Sequence, residues 1–220
     1  MRVLVFCPTY PAFPRVYART LQSIFALEWP EPLTIVFQRS GADACDELDD
    51  ITWKYNEARR LTLDGGFDAL FCVEADMIVP PDALVKLAAI DADVITALYV
   101  SRHDDHSWYV YDDIYTDRSM AHCKTPDANP ERARQAWGNV VTTKGGALGC
   151  TLIHRNVLER IHFRNEGAIP NDWWFAIDAE RAGFKQMAHC GVVCGHIDSE
   201  RRVIVYPDID APQFYREVAC

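Results

Sequence analysis

Residues 67–87 read FDALFCVEADMIVPPDALVKL, and their reading decides the fold. Residues 69–73 are all apolar, a run of the length expected for a strand covered on both faces, as in a parallel sheet. Pro80 and Pro81 suit the first turn of a helix whose buried face would hold Leu84, Leu87 and Ala88. Between strand and helix stand two carboxylates, Glu74 and Asp76. In an extended chain, residues two apart point the same way. Both are therefore expected at the carboxyl end of the strand, the edge at which open α/β sheets bind ligands.

The same alternation continues on either side. Upstream, residues 2–7 read as a buried strand closed by Pro8, and Tyr17, Leu21, Ile24 and Phe25 share one face at helical spacing. Pro30 and Pro32 end that helix, and residues 33–38 make a second strand. A helix over about residues 45–63 follows, with Leu48, Ile51, Tyr55 and Ala58 inside, and Gly65 and Gly66 stop it. Downstream of the quoted stretch, residues 93–100 form a fourth strand. The βαβαβαβ order predicts an α/β fold, a mostly parallel central sheet flanked by helices.

Periodicity is lost over residues 101–144, where His, Asp, Tyr, Trp and Pro crowd together, and this stretch reads as a long, partly ordered excursion. Its aromatics, Trp108, Tyr109, Tyr111, Tyr115 and Trp137, either form a binding platform or fix the excursion. Regular structure returns with GGALGCTLIHRNVLERI at 145–161, a strand and a short helix. NDWWFAIDAERAGFKQ at 171–186 reads as a helix stopped by Gly183, and HCGVVCGHID at 189–198 as a last strand. No repeat or linker divides the chain, so a single domain over 1–220 is expected.

Of 220 residues, 22 are Lys or Arg and 32 Asp or Glu, a net charge of -10 that disfavours nucleic acid and anionic lipid as main partners. No run approaches a membrane span and no export signal opens the chain, so a soluble, cytoplasmic protein with reduced cysteines is expected.

Two like charges at a half-buried site repel, and a hard divalent cation would relieve that repulsion. The plainer reading makes Glu74 and Asp76 solvated loop residues, and the pair alone does not choose. The segment CPTYPAFPR after the first strand lacks the basic, Gly-rich loop of a nucleotidyltransferase and the G-x-G-x-x-G of a nicotinamide dehydrogenase.

Together these segments resemble the family 2-like glycosyltransferases of the GT-A fold, over most of the chain and in the family's order. VLVFCPTYP resembles the family's first strand, whose Pro8, Thr9 and Tyr10 would border the nucleotide. YNEARR is similar to the helix beneath the nucleoside, which implies roles for Asn56 and Arg59. FCVEADMIVPPDALVKL resembles the acidic metal motif, here Glu74-Ala75-Asp76 where many relatives have Asp-x-Asp. GALGCTLIHRNVLERI resembles the Gly-rich strand closing the acceptor side, with Gly146 at its head and Arg155 opening the usual helix.

The most specific likeness is NDWWFAIDAERAGFKQMAHCGVVCGHID, similar to the family's acidic helix start and terminal Cys-Gly-His strand. It implies Asp172 as general base, although an Asp there also suits a helix N-cap. It implies His196 as a metal ligand, and Trp173 and Trp174 as acceptor-side residues or core fillers. The resemblance thus implies a nucleotide-diphospho-sugar donor, Mn²⁺ or Mg²⁺ held by Asp76, His196 and Glu74, and inverting transfer to an acceptor hydroxyl. Residues 1–100 would bind the donor, 101–144 and 145–198 would form the acceptor and catalytic side, and 199–220 would be a tail. The competing reading is a binding protein on the same fold without catalysis.

Overall fold

The computed structural model describes residues 1–9, 17–39, 47–102, 105–116, 121–166 and 169–220. Its first half alternates as the apolar runs require: β1 (Val3–Pro8), α1 (Ala18–Phe25), β2 (Thr34–Gln38), α2 (Glu47–Asp64), β3 (Ala69–Val73), a short β4 (Met77–Ile78), α3 (Ala83–Ala88) and β5 (Val94–Leu98). The excursion contains β6 (Val110–Tyr111), β7 (Asp113–Thr116), β8 (Ala121–Lys124), a 3₁₀ turn (Pro126–Ala128), α4 (Pro130–Ala136) and β9 (Val140–Thr142). Then come β10 (Gly145–Gly146), β11 (Cys150–His154), α5 (Arg155–Arg160), α6 (Asn171–Arg181), β12 (Gln186–Val193), β13 (Gly195–Asp198), β14 (Val203–Pro207) and β15 (Tyr215–Ala219).

Among the described residues the central sheet has seven strands in the order β2-β1-β3-β11-β5-β12-β9. Five run one way, while β11 and β9 oppose them, so the sheet is mostly parallel. Alternate residues of β1 and β3 serve opposite layers. Val3, Val5, Phe71 and Val73 join Ile24, Leu84 and Leu87 on the α1 and α3 side. Leu4, Phe6, Leu70 and Cys72 join Tyr55, Ala58, Val157 and Phe175 on the other. Such two-sided burial is why these strands carry unbroken apolar runs.

Several expectations change. The strand at 150–154, whose place the sequence left open, enters as β11 between β3 and β5, antiparallel to both. The chain reaches β11 from the carboxyl edge after the excursion, so it can only run back. HCGVVCGHID is two strands: β12 follows β5 with a register shift between His189 and Val193, and β13 leaves for a second sheet. Residues 199–220 are no loose tail but supply β14 and β15 to that sheet, ordered β15-β14-β13-β4. Phe25, predicted inward, is 68% exposed and meets Phe37 of the edge strand β2. The buried positions of α1 are Thr20, Ser23 and Ile24.

Trp108 and Tyr111 of the excursion are fully buried, so they fix it in place. Trp108 Nε1 donates to the Phe214 carbonyl at 3.1 Å. Cys45 and the side chain of Leu48 lie outside the described residues, while Ile51, Tyr55 and Ala58 are buried as their spacing requires. No helix among the described residues is long and apolar enough to cross a membrane.

Candidate active site

Two strand pairings build the site. β11 starts where β3 ends, Cys150 opposite Val73, and the Glu74 amide donates to the Gly149 carbonyl at 3.1 Å. β4 begins directly after Asp76 and pairs with β13, placing His196 opposite Met77, while the Ile197 amide donates to the Asp76 carbonyl at 2.8 Å. Residues 120 positions apart are thereby fixed side by side at the carboxyl edge of the sheet, in the wall of a cleft of about 670 Å³.

Asp76 and His196 are both buried. His196 Nδ1 stands 2.8 Å from the Val100 carbonyl oxygen, an acceptor, so Nδ1 carries the hydrogen. Nε2 then faces Asp76 Oδ2 at 3.5 Å. Arg102 Nη1 also donates to Oδ2, whereas the buried Oδ1 has no hydrogen-bond partner. Burial pushes the Asp76 pKa up, but His196 and Arg102 outweigh it and hold the carboxyl below its ordinary value. Burial likewise pulls His196 down, and Asp76 outweighs it and leaves the imidazole raised.

Asp172 lies across the cleft in the first turn of α6, where Pro170 and not Asp172 holds the N-cap position. Its Oδ1 accepts the Trp173 amide at 2.9 Å, and its Oδ2 accepts the Tyr111 hydroxyl at 3.4 Å. That hydroxyl in turn accepts Trp173 Nε1 at 3.0 Å. Burial, and then the charge of Glu74, push the Asp172 carboxyl up to about 7.

The other predicted residues divide. Glu74 lines the cleft, but Tyr55 donates to its Oε1 at 3.0 Å. Among the described residues no set of three His, Cys, Asp or Glu could hold a metal ion, so Glu74 does not complete a triad with Asp76 and His196. The chain turns there, with the Met77 amide on the Glu74 carbonyl at 3.1 Å, and strand alternation does not carry across a turn. Pro8 and Thr9 are buried at the end of β1, where Thr9 donates twice to the Gln38 carbonyl, from its amide at 2.9 Å and its hydroxyl at 3.1 Å. Lys54, buried against Asp50 at 2.6 Å, donates to the Thr9 carbonyl. Tyr10 lies outside the described residues, and Ala75 is buried.

Asn56 and Arg59 do not line the cleft. Asn56 exchanges hydrogen bonds with the Phe163 backbone at 2.7 and 3.1 Å, and Arg59 donates to the Leu158 and Ile161 carbonyls at 2.6 and 3.0 Å. Together they tie α2 to α5 and the segment after it, because their side of the helix faces that region. Trp173 lines the cleft, whereas Trp174 is turned away beneath Arg164, 3.7 Å from its ring centre. Gly146 is packed against Thr96, whose Cγ2 lies 2.5 Å from where a Cβ would stand. Arg102 was not foreseen, and Tyr111 was named only among five aromatics of the excursion. Arg102 lies four residues beyond β5, so the sheet-edge reasoning that picked out Asp76 reaches it too, whereas nothing in the aperiodic excursion distinguishes Tyr111.

The donor set fits a hard divalent cation supplemented by substrate. A carboxylate oxygen without a hydrogen-bond partner and an imidazole nitrogen facing the same carboxylate share one wall, and such ions commonly take one or two protein ligands with phosphate and water.

No protein-family model and no curated protein matches the sequence. Solved structures do match the fold. A197 from STIV is 17% identical with a TM-score of 0.66, over all of this chain and 94% of that one. S. aureus TarS 1–349 in complex with UDP-GlcNAc is 14% identical with a TM-score of 0.50, over 86% of this chain and 56% of that one. The same protein in complex with UDP is 13% identical with a TM-score of 0.50. The chain thus spans little more than half of TarS 1–349. The likeness shows the fold alone, which is GT-A-like.

Proposed function

We propose that the protein is a glycosyltransferase that moves a sugar from a nucleotide-diphospho-sugar to an acceptor hydroxyl, with inversion and with Mn²⁺ or Mg²⁺. One observation carries this reading. Two carboxylates share a cleft and are driven apart in acidity, Asp76 held ionised and Asp172 pushed up to about 7. Such a separation assigns one group to charge and the other to proton transfer.

Asp76 and His196, through its Nε2, would hold the cation. When bound, it supplies positive charge against the charge growing on the leaving diphosphate. Pro8 and Thr9 do not line the cleft, so their part at the nucleoside end rests on the family resemblance alone, while Trp173 in the cleft wall offers an apolar face to a sugar ring. Asp172 takes the acceptor proton while the acceptor oxygen bonds to the anomeric carbon and the bond to the diphosphate breaks. A base with pKa near neutrality is well matched to that step. Tyr111 and the Trp173 amide hold the carboxylate in place. TarS, seen with UDP-GlcNAc and with UDP, supports a donor of the same chemical class on this fold.

The test is nucleoside diphosphate release from a panel of UDP- and GDP-sugars with Mn²⁺, followed by assignment of the product anomer. Release with an inverted anomer is expected. Binding without release would make the protein a non-catalytic binder, and neither binding nor release across the panel would end the donor-site reading.

A further inference from the structure

Arg102 meets Asp76 at Oδ2, the oxygen that His196 also faces, while Oδ1 is left without a partner. The Asp76 side chain is 4% exposed and that of Arg102 is 25% exposed. The carboxylate is therefore fixed in the wall, and the guanidinium approaches it from the cleft side on a long, flexible stem. Without ligand, the buried negative charge is already answered by a cation belonging to the chain.

A divalent ion arriving alone has to share Asp76 with that guanidinium and meets its repulsion at close range. A diphosphate changes the balance, because its paired anionic oxygens match the planar donor fork of arginine. Accepting the cleft as a nucleotide-sugar site, we propose that Arg102 couples metal to donor. It guards Asp76 in the empty cleft and passes its hydrogen bonds to the diphosphate, so that the metal gains full access to Asp76 only when nucleotide is present.

Such coupling is reciprocal, and typical values change affinity by about 5- to 150-fold. The experiment is Mn²⁺ titration followed by electron paramagnetic resonance, without nucleotide and with UDP or GDP, corrected for Mn²⁺ held by nucleotide in protein-free samples. For the wild type, nucleotide should tighten Mn²⁺ binding at least about 5-fold. For Arg102→Gln, Mn²⁺ alone should bind more tightly than to the wild type, and the nucleotide effect should shrink below about 2-fold. Arg102→Lys keeps a cation and should retain part of the effect. Circular dichroism establishes that each variant is folded.

If nucleotide tightens Mn²⁺ binding equally in the wild type and in folded Arg102→Gln, the role of Arg102 is overturned and the donor site stands. A folded Arg102→Gln that binds Mn²⁺ more weakly in both conditions also overturns it. If the wild type binds no Mn²⁺ in any condition, the cation site falls and this coupling falls with it.

Discussion

His196 presents Nε2 to Asp76 across 3.5 Å while its Nδ1 is engaged by the Val100 carbonyl at 2.8 Å. A neutral ring held this way turns a lone pair toward a carboxylate oxygen. Two electron-rich atoms so placed call for a proton or a cation between them. His196→Phe keeps a ring between Tyr99 and Tyr109, whose centres lie 5.7 and 6.3 Å away, and removes both nitrogens. Mn²⁺ affinity in the presence of UDP or GDP should fall about 10- to 100-fold, measured by calorimetry. Unchanged affinity would remove His196 from the site.

Tyr111→Phe takes away only a hydroxyl, which donates to Asp172 and accepts from Trp173 Nε1. Its bond to Asp172 lowers that pKa, so its loss raises it further above about 7. Transfer that needs the ionised base rises with pH through this value. The midpoint of the rate profile should therefore move to higher pH, by roughly 0.4 to 1 unit for a typical hydrogen bond. A fixed midpoint would show that the hydroxyl does not act on the base.

Asp172 also ties stability to pH. Its folded pKa of about 7 stands above the ordinary 3.8, so the folded state binds the extra proton between those values. The stability this gives is fully present below the unfolded value and is lost as pH rises through about 7. Asp172→Asn removes the penalty, and its advantage over the wild type should reach on the order of 4 kcal/mol at pH 8, or ~8–16 °C in Tm, and shrink to a small fraction of that near pH 4. Parallel Tm profiles for the two proteins would contradict the raised pKa.

Gly146 is a packing requirement. A Cβ there would stand 2.5 Å from Thr96 Cγ2 and 3.0 Å from Thr96 Cβ, beneath the start of β11. Gly146→Ala should lose about 1–3 kcal/mol in urea unfolding. Adding Thr96→Ser, which deletes the Cγ2 methyl, should restore a good part of it. Strict additivity of the two changes would place the strain elsewhere.

How much of this could be read from the chain follows from what is local. β3 was legible to the residue because its five side chains are buried on both faces, and α5 begins at Arg155 as the pattern indicates. The insertion of β11 between β3 and β5, and the pairing of β4 with β13, join distant segments and leave no periodic trace. Asn56 and Arg59 illustrate the same limit at the site. Their motif placed them on the correct helix, but only packing shows that they face Phe163 and Leu158 instead of the cleft. Asp76 was legible because it follows a strand end at the carboxyl edge of the sheet, whereas Asp172 and Trp173 came only from the family resemblance.

The central claim rests most directly on Asp76. Asp76→Asn preserves the shape of the side chain and removes its charge; losing the buried pair with Arg102 lowers Tm, and circular dichroism establishes that the variant is folded. The decisive measurement is kcat/KM for Mn²⁺-dependent nucleoside diphosphate release from the best UDP- or GDP-sugar of the panel. The variant should lose about 100-fold or more. A folded Asp76→Asn that releases product within a few-fold of the wild-type rate would contradict the account.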